Sequence, residues 1–401
     1  MPVSRFAKSA IVLGLLSAAG PFAIDMYLPA LPTIAADLGA STAATQMTLT
    51  AFFIAFGVCQ IAYGPISDMI GRKPPLYFGL TVFIIGGIGC FLSPSIGWLI
   101  FFRFIQGIGG SSVMVIPRAI IRDLHTGIEA TRLMALVMLV ISVSPILAPV
   151  TGSALIVPFG WRAVFVAITI VALLGLVLLA VFQPETRPAA ERIRIGVRSL
   201  IDGFGTLLRN GRFLGLTFIG GLGMSSFFAF LASSSFIYID HFGLTPTEFS
   251  ALFSVNAIGF IGASQFAATL GQRFGMARMV FIAVAGYAAV ASLLFALTAA
   301  GVDNLGVLAA LLFVAFAFTG LVIPTTMVLA LEEHGPIAGM ASALGGTLQM
   351  VLGGLMIVVT SKFFDGTALP MVTIIALCAA GALVLAWLTL GRRQPEAQAA
   401  E

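Results

Sequence analysis

Runs of about twenty apolar residues recur along the whole sequence, and that is the length a helix needs to cross a hydrocarbon core. They are continuous rather than alternating in about ten-residue pieces, which excludes an outer-membrane barrel. With 59% hydrophobic and 9% charged residues in 401, the chain has too little polar surface to close up in water. The fold class predicted is therefore an all-α integral membrane protein. Runs near residues 9–30, 45–65, 75–94, 98–120, 132–156, 161–183, 212–239, 247–270, 277–300, 305–331, 337–361 and 368–390 give about twelve transmembrane helices.

Charge placement orients them. The sequence Ser17-Ala18-Ala19-Gly20 has the look of a signal-peptidase site, but the apolar character resumes through Met26-Tyr27-Leu28-Pro29, so a span is expected there. With an even count both termini are cytoplasmic, and of the 20 Lys and Arg only Arg162 and Lys362 fall outside, with Arg103 inside a span. The net charge of +4 is spread between apolar segments without an aromatic-interleaved patch, so nucleic acid is not an expected partner. Cys59, Cys90 and Cys378 lie within apolar runs without metal-ligand spacing, and neither a disulfide framework nor a metal is implied.

The one long polar stretch divides the spans six and six: a first bundle over 1–183, a cytoplasmic linker over 184–211 and a second bundle with a short tail over 212–401. The linker is read as a solvated tether, with an amphipathic membrane-surface segment as the alternative. The halves repeat at an offset of 204 residues, Gly39 with Gly243, Ser41 with Thr245 and Gly71 with Gly275, which suggests two bundles related by an axis along the membrane normal. Thr245-Pro246-Thr247-Glu248 reads as a capping box with proline at the first helical position.

Two charges lie within spans. Asp25 sits about 24 Å along the first helix at 1.5 Å per residue, and Arg103 about 22 Å from the same face along the fourth. Charges in lipid usually face a bundle interior or wet cavity, so equal depths favour a shared one. Pro29 cannot donate to the carbonyl of Asp25 and should loosen the first helix there. In the fifth span Ser144, Ala148 and Gly152 form a small-residue stripe flanked by Pro145 and Pro149, which suits tight packing and bending. His125, His241 and His334 are far apart and no paired acids or phosphate-binding loop appear, so no enzyme is expected.

The loop Gly64-Pro65-Ile66-Ser67-Asp68-Met69-Ile70-Gly71-Arg72-Lys73-Pro74 resembles the signature loop of the major facilitator superfamily. Asp25-Met26-Tyr27-Leu28-Pro29-Ala30-Leu31-Pro32 is similar to the first helix of its Bcr/CflA-type drug:proton antiporters (bicyclomycin and chloramphenicol resistance). Arg103-Phe104-Ile105-Gln106-Gly107-Ile108-Gly109-Gly110 resembles the helix-four motif, and Pro145, Ala148, Pro149 and Gly152 the antiporter motif, with Ala148-Pro149 where Gly-Pro is usual. The resemblance implies two six-helix bundles of the major facilitator fold in a bacterial inner membrane, exporting small lipophilic drug-like molecules against inward proton flow. Proton coupling falls on Asp25 and Arg103. A conformational gate falls on Gly64, Asp68, Gly71, Arg72, Lys73 and Arg118, with Asp68 pairing to Arg72 or Arg118. Met26, Tyr27, Phe227, Phe228, Phe230 and Asn256 are expected to line the substrate site. A proton gradient serves in place of a cofactor, membrane lipid surrounds the chain, and a monomer is expected. A proton symporter importing a small polar solute, or a non-transporting receptor, are the alternatives.

Overall fold

A computed structural model of the chain describes residues 5–125, 127–192 and 197–391. Among them twelve helices are long and apolar enough to cross a membrane, each matching one expected span. The first half runs α1 (Arg5–Asp25), α2 (Thr42–Ile70), α3 (Lys73–Leu92), α4 (Ile96–Leu124), α5 (Gly127–Phe159) and α6 (Arg162–Phe182). After α7 in the linker (Val197–Arg209) come α8 (Gly211–Ser235), α9 (Pro246–Phe274), α10 (Met276–Ala299), α11 (Leu305–Glu332), α12 (Ala338–Phe363) and α13 (Leu369–Leu390). Arg194, Arg392, Arg393 and the side chain of Arg5 lie outside the described residues.

Proline and glycine punctuate the helices where the sequence places them. Pro29 offers no N–H to Asp25, α1 stops there, and the chain continues through a tight turn at Leu28–Ala30 into a short helix, Leu31–Asp37. The N–H of Ala30 donates to the Tyr27 carbonyl at 3.0 Å, the shorter-range bond of that turn. Gly39 and Gly243, and Gly71 and Gly275, share positive φ values of 57°, 73°, 102° and 81°, so the residues paired by the 204-residue repeat make equivalent turns. The capping box forms reciprocally: Thr245 Oγ1 accepts from Glu248 N at 3.2 Å, and Glu248 Oε2 accepts from Thr245 N at 2.8 Å.

The halves meet through α2 with α12 and through α5 with α9. The loops lie at two ends: one carries the linker, the other joins α2, α4, α6, α9, α11 and α13 to the helices before them. Contact between halves runs from the middle to this far end. There Gln46 Nε2 donates to the Ala232 carbonyl at 3.0 Å, Ser250 Oγ to the Pro149 carbonyl at 2.9 Å and Ser254 Oγ to the Ile146 carbonyl at 2.8 Å. Near the middle Thr347 Oγ1 donates to the Gly57 carbonyl at 2.7 Å. Toward the linker end the halves part.

The linker is more than a solvated tether. Its helix α7 packs on α8 and α12, with Leu207 fully buried and Gly203 against Met340. An amphipathic helix of three turns is stable here because its apolar face finds a protein surface to cover.

Candidate functional site

Between the halves at the linker end lies a cavity of about 670 Å³. One wall is α2 and α4, with Gln60, Ile61, Gly64, Asp68, Arg118 and Arg122; the other is α12 with Gly339, Met340 and Ala343, and α7 closes one side with Leu200 and Phe204. Its volume falls in the range of small-molecule sites.

The signature loop forms one rim. Arg72, buried, donates from Nη1 to Asp68 Oδ1 at 2.7 Å and to Ser67 Oγ at 2.8 Å. Its Nε and Nη2 take both oxygens of Asp123 at the end of α4, at 2.7 and 3.2 Å. Burial alone would lower the Arg72 pKa, but the two carboxylates outweigh it and hold the guanidinium charged. Arg187 reaches Asp68 Oδ1 at 3.2 Å. Glu185, also past α6, accepts from the N–H groups of Arg72 and Lys73 at 2.8 and 3.0 Å. Gly71 is required by its positive φ of 102°, and a Cβ there would also crowd Glu185 Oε2, at 2.8 Å.

Of the gate residues, Asp68, Arg72, Gly71 and Lys73 thus come together, while Arg118 stands apart. Among the described residues its Nη2 donates only to Met114 Sδ, at 3.8 Å. Gly64 lies on the cavity wall. The Lys73 ammonium is 5.5 Å over the Tyr77 ring. Asp123, Glu185 and Arg187 were not among the sequence candidates. Asp123 and Glu185 lie 51 and 113 residues from Arg72 and Arg187 is as distant from Asp68, so no local pattern joins them to the loop.

Deeper in the first half, Arg103 is 0% exposed. Its Nη1 donates to the Ala23 carbonyl at 3.0 Å and to Gln106 Oε1 at 2.7 Å, and the guanidinium lies 4.8 Å from the Tyr27 ring centre and 4.4 Å from that of Phe52. Gly107 lets α4 approach so closely that a Cβ there would be 2.4 Å from the Phe52 carbonyl. Asp25 is buried, and among the described residues no ion pair joins it to Arg103. Helical geometry gives the reason. Ala23 and Tyr27, four apart, present one face to Arg103, and Asp25 is two residues from each, about 200° round at about 100° per residue.

Tyr27, 0% exposed, packs on Phe165 and bonds Thr48 Oγ1 through its hydroxyl at 2.8 Å, inside the first half. Met26 is buried, its carbonyl against Gly152 of the small-residue stripe, whose other members Ser144 and Ala148 are buried as well. Pro149 is buried and gives its carbonyl to Ser250; Pro145 lies one turn before it. Phe227, Phe230, Phe253 and Phe316 form an aromatic cluster in the second half. Phe228 stacks across the halves on Phe53. Asn256 is buried and donates to the Leu252 carbonyl at 3.3 Å. In this arrangement Met26, Tyr27, Phe227, Phe228, Phe230 and Asn256, expected to line the substrate site, are not on the wall of this cavity.

Over residues 13–358 the chain matches the family described as Major Facilitator Superfamily. It is 31% identical over 371 residues, 92% of each chain, to a bicyclomycin resistance protein homolog of Haemophilus influenzae. To multidrug resistance protein D of Escherichia coli it is 29% identical over 389 residues, 96% of this chain and 95% of that one. An uncharacterized MFS-type transporter, YdgK, of Bacillus subtilis is 35% identical over 364 residues, 90% of each. The crystal structure of a D-xylose-proton symporter superposes with a TM-score of 0.76 at 17% identity, over 96% of this chain and 98% of that one, a likeness of fold.

Proposed function

Because the chain belongs to the Major Facilitator Superfamily, as its match over residues 13–358 shows, we propose that it is a proton-coupled exporter of lipophilic drug-like molecules, working by alternating access. The observation that carries this reading is the asymmetry between the halves: joined from the middle to the far end, parted around a drug-sized cavity at the linker end. Lys8, Arg72, Lys73, Arg122, Arg132, Arg198, Arg209, Arg273 and Arg278 gather at the linker end, against Arg162 and Lys362 at the other. By the positive-inside bias the linker end is cytoplasmic, so the cavity is the loading state of an exporter. The names of the bicyclomycin and multidrug resistance relatives support the substrate class.

Asp25 is the proton carrier in this reading. It is a buried acid at a broken helix, free of Arg103 in this state, and its proton competes with substrate when the halves rearrange. The test uses sealed inverted vesicles with a fluorescent drug. Asp25→Asn should retain drug binding and lose uptake driven by the pH gradient, with part regained in Asp25→Glu. Full gradient-driven transport by Asp25→Asn would overturn the assignment.

A further inference from the structure

Among the residues lining the cavity at the linker end are three arginines, Arg72, Arg118 and Arg122, and a single acid, Asp68. That carboxylate is already engaged, with Oδ1 held by Arg72 at 2.7 Å and by Arg187 at 3.2 Å, and Arg72 is further clasped by Asp123. Arg118 has no such partner. Its Nε is buried without an acceptor, its Nη2 has only the weak thioether contact to Met114, and no ion pair reaches it among the described residues. Arg122, exposed beside it on the same helix, forms none either. A guanidinium taken out of water costs free energy unless acceptors meet it, and it can offer a planar fork of donors to an oxyanion. The opposite wall adds a smaller term of the same sign, since Ala338, Gly339 and Met340 are the first turn of α12 and helices begin with partial positive charge. Ile61, Val115, Phe204, Leu331 and Met340 give the lining its apolar part, with Gln60, Ser67 and Ser342 as uncharged polar members.

We propose that Arg118 is the substrate-selecting cation of this cavity, and that the site takes amphipathic anions: an apolar body bearing a carboxylate or comparable oxyanion, in preference to lipophilic cations. The proposal rests on the exporter reading and narrows its substrate class. The apolar body lies against the α7 and α12 side while the oxyanion reaches the Arg118 fork, with Arg122 assisting at the mouth. A lipophilic cation would meet uncompensated positive charge. The same chemistry is carried by soluble acids and by anionic lipid headgroups.

The test is equilibrium binding to the purified full-length protein in nanodiscs of phosphatidylcholine. The probes are a dansyl-labelled medium-chain fatty acid, its primary amide and the corresponding amine. The acid should bind about tenfold more tightly than the amide, the scale of one charge-assisted hydrogen-bonded pair, and the amine most weakly. Arg118→Gln should reduce the acid to the affinity of the amide, Arg118→Lys should keep part of the preference, and Arg122→Gln should lose less. Replacing part of the lipid by phosphatidylglycerol separates the sources: competition with the acid assigns the site to a headgroup, its absence to a soluble substrate. Amine binding equal to or tighter than acid, or an unchanged acid preference in folded Arg118→Gln, overturns the proposal. Should Arg118→Gln not fold, the wild-type order of the three probes decides alone. Loss of export in cells with this order intact would count against the exporter reading and leave the anion site standing.

Discussion

Phe53 of α2 and Phe228 of α8 stack face to face across the two halves, ring centres 3.9 Å apart and planes 20° from parallel. The pair joins helices of different bundles, so it favours the arrangement closed at the far end over one in which α2 and α8 separate. Phe228→Ala removes about 1 kcal/mol of stacking alone, with lost burial added, and should raise the far-end-open population severalfold. A cysteine in place of Ser233, beside the Gln46 contact, reports it. Its labelling by an impermeant thiol reagent should quicken in the Phe228→Ala background, and an unchanged rate would deny the pair a role in closure.

Gly152 sits where α5 touches the broken end of α1, and a Cβ there would be 2.2 Å from the Met26 carbonyl. Gly152→Ala must push the first helix away beside Asp25, at a cost of about 1–3 kcal/mol for an overpacked contact. Transport should fall with insertion preserved. Gly262→Ala, with nothing within 4 Å of its Cβ, is the matched control and should be near wild type.

Glu185 links stability to pH. Burial pushes its carboxyl up, but the N–H groups of Arg72, Lys73, Arg187 and Thr186 outweigh that and hold it below the ordinary glutamate value. A lowered folded pKa contributes stability in full above the unfolded value of about 4.3, and the contribution disappears as pH falls through the folded value. Glu185→Gln should therefore lower the Tm of the purified protein at pH 7, and the gap should close in acid. A gap of constant size across that range would show that the charge is not what matters.

Orientation is testable at two loops. Cysteines at Arg198 in α7 and at Thr367, between α12 and α13, lie at opposite ends of the bundle. In intact cells the impermeant reagent should spare the first and label the second. The reverse pattern would place the cavity on the outer face and make it an unloading state.

Much of this fold is legible because membrane spans are long and their breaks are written in proline, glycine and capping residues. Pro29 marks the end of α1, and Thr245 and Glu248 announce their own reciprocal cap. The pairing of Asp68 with Arg72 is readable too, since they stand only four residues apart across the turn that ends α2. Depth along a helix is likewise a count of residues, but direction around it depends on which neighbour it meets. Asp25 and Arg103 agree in depth and differ in face, and Tyr27 turns into its own half rather than toward the large cavity. Asp123 and Glu185 reach Arg72 only through tertiary folding. The linker helix is legible as amphipathic in sequence, but that Leu207 buries against α8 and α12 is decided by the tertiary packing.

The serine contacts between α5 and α9 have a consequence for how readily the closed end can open. Ser250 Oγ donates to Pro149 of the other half at 2.9 Å and lies 2.8 Å from the Pro246 carbonyl of its own helix; Ser254 Oγ likewise has Ile146 across the interface and Ser250 within its helix, both at 2.8 Å. Each hydroxyl thus carries a spare acceptor. When the halves separate, its proton turns to the local carbonyl, so breaking the contact across the interface leaves no donor unpaired at the cost of an unmade hydrogen bond. The interface is fastened by clasps that refasten on themselves, which keeps a closed arrangement from becoming a permanent one.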